Sequence, residues 1–448
     1  MPCHKRMQIH LSDHFTYKRL LRFVLPCVVM MLVSTTYSVV DGFFVSNFVG
    51  KNAFAAVNLI VPALMALGAF GQMFGTGGSA LISFTLGAGN TERANRILSQ
   101  VIRFLFLFGV VAAILGFLFM RQIAAALGAS ESMIEACVLY GRTLICVMPF
   151  YMLQHAFQSL LVTAEKPKMG LAVSVVAGLT NILLDFALVY VFPLGLFGAA
   201  LATALSWVMG GAVPAVFFSK ENTSLLRFTK TRIEWEVLTK VSTNGVAGLL
   251  TNLSTSIVAI LYNYQLMRLA GENGVAAYGV IMYVSYVFMA FSMGYSTGSS
   301  PIAGYKFGAG DVLELKSLLR KSLMLNAIFG IMMTILAEGL SWPIAQIFVG
   351  YDSELSALTA HAIRLYSLAF LINGFNIFSV SFFTGLNDGK IASIISFLRT
   401  FILPIIAIFV LPIMLDVDGI WIAVVAAEGL TLFVTIGLLI GNRKKYHY

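Results

Sequence analysis

Residues 26–47, PCVVMMLVSTTYSVVDGFFVSN, decide how the chain is read. They form an apolar run long enough to cross a bilayer, with Pro26 near one end and a single carboxylate, Asp41, toward the other. About 20 apolar residues cross the hydrocarbon core as a helix. An acid inside such a run is costly to hold there, which makes Asp41 a functional-site candidate.

Similar runs recur along all 448 residues, of which 59% are hydrophobic and only 11% charged, against about 25% charged in a typical soluble domain. The composition predicts an all-α membrane protein, and the ten-residue alternation of a membrane β-barrel is missing from the sequence. Twelve transmembrane spans are expected, at 18–47, 53–86, 97–120, 133–164, 169–192, 198–218, 237–270, 274–307, 317–340, 357–386, 391–412 and 419–441. The polar N-terminus, MPCHKRMQIHLSDHFTYKR, has no apolar core of a cleavable signal. Cys3, Cys27, Cys137 and Cys146 lack C-x-x-C spacing, so neither a disulfide framework nor a zinc site is expected.

The net charge of +9 is explained by topology rather than by nucleic-acid binding. Most of the 29 Lys and Arg fall in alternate loops and their flanks, including Lys5, Arg6, Lys18, Arg19 and Arg22 at the N-terminus and Arg443, Lys444 and Lys445 after span 12. Positive loops stay in the cytoplasm, so both termini are expected there.

The longest break, 220–236, separates two related halves. The expected domains are 1–219 (spans 1–6), the cytoplasmic linker 220–236 and 237–448 (spans 7–12). With a constant shift of 221, GKNAFAA (50–56) falls on GENGVAA (271–277) and GGSALISFTLGAGN (77–90) on GSSPIAGYKFGAGD (298–311). A slightly larger shift lays GLFGAALATALS (195–206) over GIWIAVVAAEGL (419–430). Two even-span halves of the same orientation predict two six-helix bundles about a pseudo-two-fold axis along the membrane normal, with a central cavity. Alternating-access transporters often use such duplication.

Depth brings the polar residues together. Asp41 lies six residues below the outer end of span 1, Asp185 seven below that of span 5, and Thr203 five into span 6. At 1.5 Å per residue all three sit roughly 8–10 Å below the outer ends. Tyr37 and Asn181, each four residues before an acid, share the faces of Asp41 and Asp185. Two carboxylates in low dielectric do not both stay ionised unless a cation sits between them; otherwise one takes a proton. Asn181 and Thr203 supply neutral oxygens suited to a hard monovalent cation such as Na⁺ or to orienting an acid proton. Pro26 removes a backbone hydrogen bond and is a candidate hinge.

The second half carries Tyr262 where the first has Asp41, and its internal charges are Arg399 and Glu428. A structural salt bridge is the expected arrangement, with a substrate-cavity or gating role as the alternative. Gln154, His155 and Gln158 on span 4 are either cavity-lining or helix-packing residues. Gly294-Tyr295-Ser296-Thr297-Gly298 matches G-x-S-x-G but lacks the strand–turn–helix context of a nucleophile elbow. That motif and GQMFGTGG (71–78) are expected to serve close helix packing.

The sequence resembles the multidrug and toxic compound extrusion (MATE) transporters over nearly its whole length. VVDGFFVSNFVG with AAVNLIVP, GSALISFTLGAGNTERA, NILLD and GLFGAALATALS carry the resemblance. It implies an antiporter in the bacterial cell membrane exporting organic cations or other amphipathic drugs against H⁺ or Na⁺. It places the cation site on Asp41, Asn181, Asp185 and Thr203, with Tyr37 beside it and Pro26 at the family's bend. Phe186 stands where relatives often carry Pro after the span 5 acid. The Glu in span 7 and Asp in span 10 of another branch are missing from this sequence, so coupling is assigned to the first half. No cofactor beyond the coupling ion and no catalytic residues are expected. The expected partners are small-molecule drugs and membrane lipids, with the protein a monomer. A flippase for a lipid-linked sugar, within the same superfamily, is the alternative, although Arg142, Arg364 and Arg399 are too scattered for a pyrophosphate site. A membrane hydrolase or a sensor finds no support in the motifs.

Overall fold

A computed structural model describes residues 9–49 and 51–448 of the chain; within these, the side chains of 37–40, 42, 43, 46, 47, 51, 52 and 54 fall outside the description. The described residues form helices and no strands. In chain order these are α1 (Tyr17–Phe44), α2 (Lys51–Gly87), α3 (Thr91–Ala126), α4 (Ile134–Ile145), α5 (Met148–Thr163), α6 (Pro167–Asp185), α7 (Gly195–Ser219), α8 (Trp235–Gly308), α9 (Val312–Val349), α10 (Ser353–Ser367), α11 (Phe370–Gly385), α12 (Gly389–Phe397), α13 (Leu403–Val410) and α14 (Pro412–Tyr446). Three π-helical turns, Val45–Val49, Phe186–Val191 and Leu398–Ile402, extend α1 and α6 and join α12 to α13.

Nine helices among the described residues are long and apolar enough to cross a membrane, and eleven if each of two bent pairs counts as one span. The sequence predicts twelve. The difference lies in α8, which carries predicted spans 7 and 8 in one 74-residue element interrupted at Gly271 (φ 61°, ψ −153°). Predicted spans 4 and 10 are not straight rods. α4 and α5 meet at 58°, and α10 and α11 at 47°. The breaks fall at Cys146–Val147 and Leu368–Ala369, a shift of 222 apart. Pro149 at the second position of α5 suits a helix start, where its missing N–H costs nothing.

Local chemistry repeats with the same period. After α2 and after α8 the chain turns through a left-handed glycine, Gly89 (φ 79°) and Gly310 (φ 68°), a conformation that costs glycine least. Asn90 and Asp311 then cap the next helices, accepting from Arg93 N (2.9 Å) and Glu314 N (3.2 Å). Left-handed Gly195 and Asp416 are again 221 apart. So are Gly198 and Gly419, each packed against a backbone carbonyl. The constant shift, not the larger one, therefore governs the start of the last helix of each half.

The repeat also sets how α2 meets α8. A Cβ on Gly87 would lie 2.0 Å from Tyr305 O, and one on Gly308 would lie 2.0 Å from Phe84 O. These two contacts are each other's image under the 221 shift. Further along, Gly77 abuts Val241 and Gly245, while Gly298 abuts Val24 of α1. The G-x-S-x-G run is thus a packing surface, with Gly294 set against Val28 beside Pro26. Gly71 and Gly75 do the same for α2 against Met152 and Ala156 of α5. α1 runs helically through Pro26.

Residues 9–16 cross from one repeat to the other. His10 Nδ1 and Leu11 N reach Glu165 at 2.5 and 2.7 Å. Further on, His14 and Phe15 N meet Glu314, and Lys306 and Lys321 donate to the carbonyls of Ser12 and Phe15 at 2.9 and 2.6 Å. Exposed ion pairs contribute about 0–1 kcal/mol each, whereas burying a Leu or Phe contributes about 1.5–3 kcal/mol. Leu11 and Phe15 are almost fully buried, so they hold this segment more firmly than the histidines do. Leu11→Ala is expected to raise hydrogen exchange at residues 9–16 more than Glu165→Gln does, and mass-spectrometric exchange of the two variants decides the order. At the other end of the chain Asp388 caps α12 and accepts from Lys445 Nζ (2.8 Å) and from Tyr446. Burial alone would raise its carboxyl, but these hydrogen bonds outweigh that and hold its pKa below the usual carboxylate value.

Candidate functional site

α1, α6, α7 and α4 bring four polar side chains and a tyrosine to one place. Asn181 and Asp185 sit one turn apart at the end of α6, Asp41 in the last turn of α1, and Thr203 near the start of α7. Thr203 is the link. Its hydroxyl donates to Asp41 Oδ1 at 3.2 Å and accepts from Asn181 Nδ2 at 3.3 Å. Asp185 is fully buried and neighbours Asp41.

Both Asp185 oxygens lack a hydrogen-bond donor among the described residues, as does Asn181 Oδ1. No described Lys, Arg or His forms a salt bridge with either acid. Two ionised carboxylates only accept, so Asp41 and Asp185 cannot satisfy each other unless one is protonated. Buried and unpaired, such charges are strongly unfavourable. With both acids ionised the pocket would carry two negative charges and no basic partner among the described residues. Asn181 Oδ1 is a further acceptor without a partner among the described residues.

A π-helical turn starts directly after Asp185, where Phe186 stands. Such turns widen the helix and recur at functional sites. The one after α1 begins four residues past Asp41.

Tyr140 is the participant the sequence did not single out. It is buried on α4, beside Thr203 and both acids. It lies seven residues into predicted span 4, at the same depth below the outer end as Asp41 and Asp185. The side chain of Tyr37 lies outside the described residues. Gln154, His155 and Gln158 are not part of this cluster. The Gln154 amide fills the space beside Gly210, and His155 meets Tyr151 edge-on at 4.7 Å, which in turn stacks on Trp207 at 3.8 Å. Arg399 and Glu428 form a separate buried pair, with Nε to Oε1 at 2.7 Å. Among the described residues no three His, Cys, Asp or Glu group as ligands of a metal ion.

The sequence profile of the family described as MatE matches the chain twice, over residues 26–187 and 248–410. The chain is 30% identical over 361 residues to a probable multidrug resistance protein, YoeA, of Bacillus subtilis (strain 168), covering 77% of this chain and 76% of the relative. It is 24% identical over 442 residues to the multidrug export protein MepA of Staphylococcus haemolyticus (strain JCSC1435), covering 97% and 96%. A solved structure described as the outward-facing conformation of a multidrug resistance MATE family transporter superposes with a TM-score of 0.91 over 97% of both chains; at 21% identity this speaks for the fold. The profile matches twice, in register with the internal repeat, and covers well over half the residues: the chain belongs to the MatE family.

Proposed function

We propose that the protein is a secondary-active multidrug efflux antiporter of the cell membrane, exporting organic cations or amphipathic drugs in exchange for H⁺ or Na⁺. The single observation that carries the exchange is the buried Asp41–Asp185 pair, which lacks a basic partner among the described residues. The export role is supported by relatives described as multidrug resistance and export proteins.

The proposed architecture is twelve spans in two six-helix bundles, 1–219 and 237–448, joined by a cytoplasmic linker at 220–236. Gly271 supports this count. At 1.5 Å per residue α8 would be about 110 Å long, against a hydrocarbon core near 30 Å, and dividing it there adds one span to eleven. The two family matches support the two bundles. Both termini lie in the cytoplasm on this proposal, since the basic loops cluster on their side.

On this proposal the chain belongs to the branch that couples through the first bundle, a reading that Asp41 in span 1 supports. In the proposed cycle the outer part of that bundle takes H⁺ or Na⁺ from outside onto Asp41 and Asp185, with Asn181 and Thr203 as neutral ligands and Tyr140 alongside. Occupancy by one cation removes one of the pair's two negative charges and favours release of the drug. Drug binding from the inside favours discharge of the cation, because two ligands that prefer different states oppose each other by their differential affinities. Pro26 leaves the Arg22 carbonyl without its usual donor, which suits a bend in α1 as the charge state changes. On this proposal the glycine contacts between α2 and α8 close the terminus-bearing side. The protein acts as a monomer surrounded by lipid.

The test is dye accumulation in bacterial cells lacking their own efflux pumps. Expression of the chain is expected to lower steady-state accumulation of a cationic dye severalfold, and dissipating the ion gradients should restore it. Accumulation that is unchanged by expression, or lowered equally after the gradients are collapsed, would contradict the proposal.

A further inference from the structure

The second half holds a buried charge cluster that the exchange of cations does not use. Arg399 lies in the π-helical turn Leu398–Ile402, and its Nε donates to Glu428 Oε1 at 2.7 Å. The other carboxylate oxygen accepts from Asn376 Nδ2 at 2.8 Å, and the same amide reaches the Glu428 carbonyl at 2.9 Å. Thr435 completes the chain by donating to Asn376 Oδ1 at 3.0 Å. Both oxygens of Glu428 are held, so Glu428 is a fixture.

Arg399 is different. A guanidinium carries five N–H donors in a planar fork, and in Arg399 only Nε is engaged by the protein among the described residues. The side chain keeps 9% exposure, and its Nη atoms are not among the fully enclosed unpartnered ones. They therefore reach open space.

Contacts on α8 locate that space. Ser396, one turn before Arg399, is fastened to Thr251 (2.6 Å) and to the Ala247 carbonyl (2.9 Å), which turns this face toward α8. Next to it Asn252, Thr255 and Ser256 are exposed, and Asn252 Nδ2 donates to Gln72 Oε1 of α2 at 2.8 Å. That polar face therefore looks onto the α2–α8 junction rather than onto lipid. Polar groups at membrane depth are tolerated where they line a water-filled cavity. Tyr366 lies against Ser285 and within electrostatic range of Glu428 and Arg399, and Ser285 is itself only 3% exposed.

We infer that the free edge of Arg399, flanked by Tyr366 and Ser285, is a subsite for the carboxylate of a transported amphipathic compound. The inference rests on the export reading and narrows it. Two Nη groups in one plane match the two oxygens of a carboxylate. On this inference the guanidinium edge orients substrates that carry a carboxylate as well as a cation. A purely structural ion pair uses one edge of the guanidinium and leaves the Nη edge of Arg399 for water or a ligand.

The test uses rhodamine B, with a free carboxylate, and its ethyl ester, which carries the same xanthene cation. Binding of each to the purified protein in lipid nanodiscs is followed by fluorescence anisotropy. The wild type is expected to bind the free acid about tenfold more tightly than the ester, the scale of one charge-assisted hydrogen bond. In the Arg399→Gln, Glu428→Gln double variant, which leaves no unpaired charge, the ratio is expected to fall to about one while the ester affinity is kept. Arg399→Lys, which retains the charge without the fork, should give an intermediate ratio. A wild-type ratio of one or less overturns the subsite, as does a double or Lys variant with the full wild-type ratio. A wild type that binds the ester but does not prefer the acid overturns the subsite alone; a wild type that binds neither dye overturns the export reading with it.

Discussion

Asp41→Asn is expected to reduce gradient-driven dye efflux to background while leaving the protein folded and inserted. The amide has nearly the shape of the carboxylate and still accepts from Thr203, whose hydroxyl lies 3.2 Å from Asp41 Oδ1. It removes one of the two buried negative charges. With an amide facing it, Asp185 is left as a single acid with no second carboxylate to share a cation with, so the link between ion gradient and drug movement is lost, not merely weakened. Asp185→Asn should behave alike, because either substitution leaves a single acid. Thr203→Val provides the contrast. It deletes the hydroxyl that joins Asp41 to Asn181 but keeps both acids, so transport survives with the half-saturating cation concentration raised about tenfold, the scale of one hydrogen bond to a charged group. Initial efflux rates against external cation concentration separate the two outcomes. An Asp41→Asn protein with wild-type rates would remove Asp41 from the coupling site.

Gly245→Val is expected to be the most disruptive single change away from that site. A Cβ at Gly245 would lie 1.8 Å from Met73 O, and at Gly77 2.0 Å from Val241 O. Both obstacles are backbone, so no side-chain rotation relieves them and the helices must separate. Overpacking of this kind costs about 1–3 kcal/mol or more, and about 2.7 kcal/mol shifts a two-state ratio roughly a hundredfold. The closed arrangement of α2 on α8 should become the minor one, with transport largely lost. Gly248 borders Gln72 and Thr76 across the same contact, so Gly248→Cys reports the opening. In a background without Cys3, Cys27, Cys137 and Cys146, Gly245→Val should raise its labelling rate by water-soluble maleimide at least about tenfold. Gly437→Ala is the control. A Cβ at Gly437 meets nothing within 4 Å, and alanine favours the helix by up to about 1 kcal/mol, so labelling and transport should not change. Equal labelling in the two variants would show that the glycine contacts do not hold the closed state.

Much of the site was legible before any coordinates. Asp41, Asp185 and Thr203 are polar residues in apolar spans at matching depth, and a helix rises by a fixed amount per residue, so depth groups them; Asn181 joins because it lies one turn before Asp185 on the same face. Tyr140 escaped because a tyrosine near a membrane surface is ordinary, although its depth matches. The bends at Cys146–Val147 and Leu368–Ala369 escaped because neither break carries Gly or Pro, Pro149 being the only nearby signal. The π-helical turns after Asp41 and Asp185 arise from tertiary packing, which hydropathy does not encode. The glycine-rich runs announced close packing, but only the structure tells which partner each glycine meets, as when Gly87 and Gly308 proved to be images of one another. The salt bridge of Arg399 with Glu428 followed from their being the internal charges of the second half. The open edge of Arg399 did not follow, since it depends on how α12 turns toward α8.

The most direct measurement is efflux of a cationic dye from proteoliposomes under separately imposed inward gradients of H⁺ and Na⁺, with wild type, Asp41→Asn and Asp185→Asn side by side. The predicted result is that one of the two gradients accelerates efflux by the wild type and that neither gradient accelerates efflux by either variant. Efflux that ignores both gradients in the wild type, or that responds equally in the wild type and the two variants, would contradict the assignment of the Asp41–Asp185 pair as the coupling site.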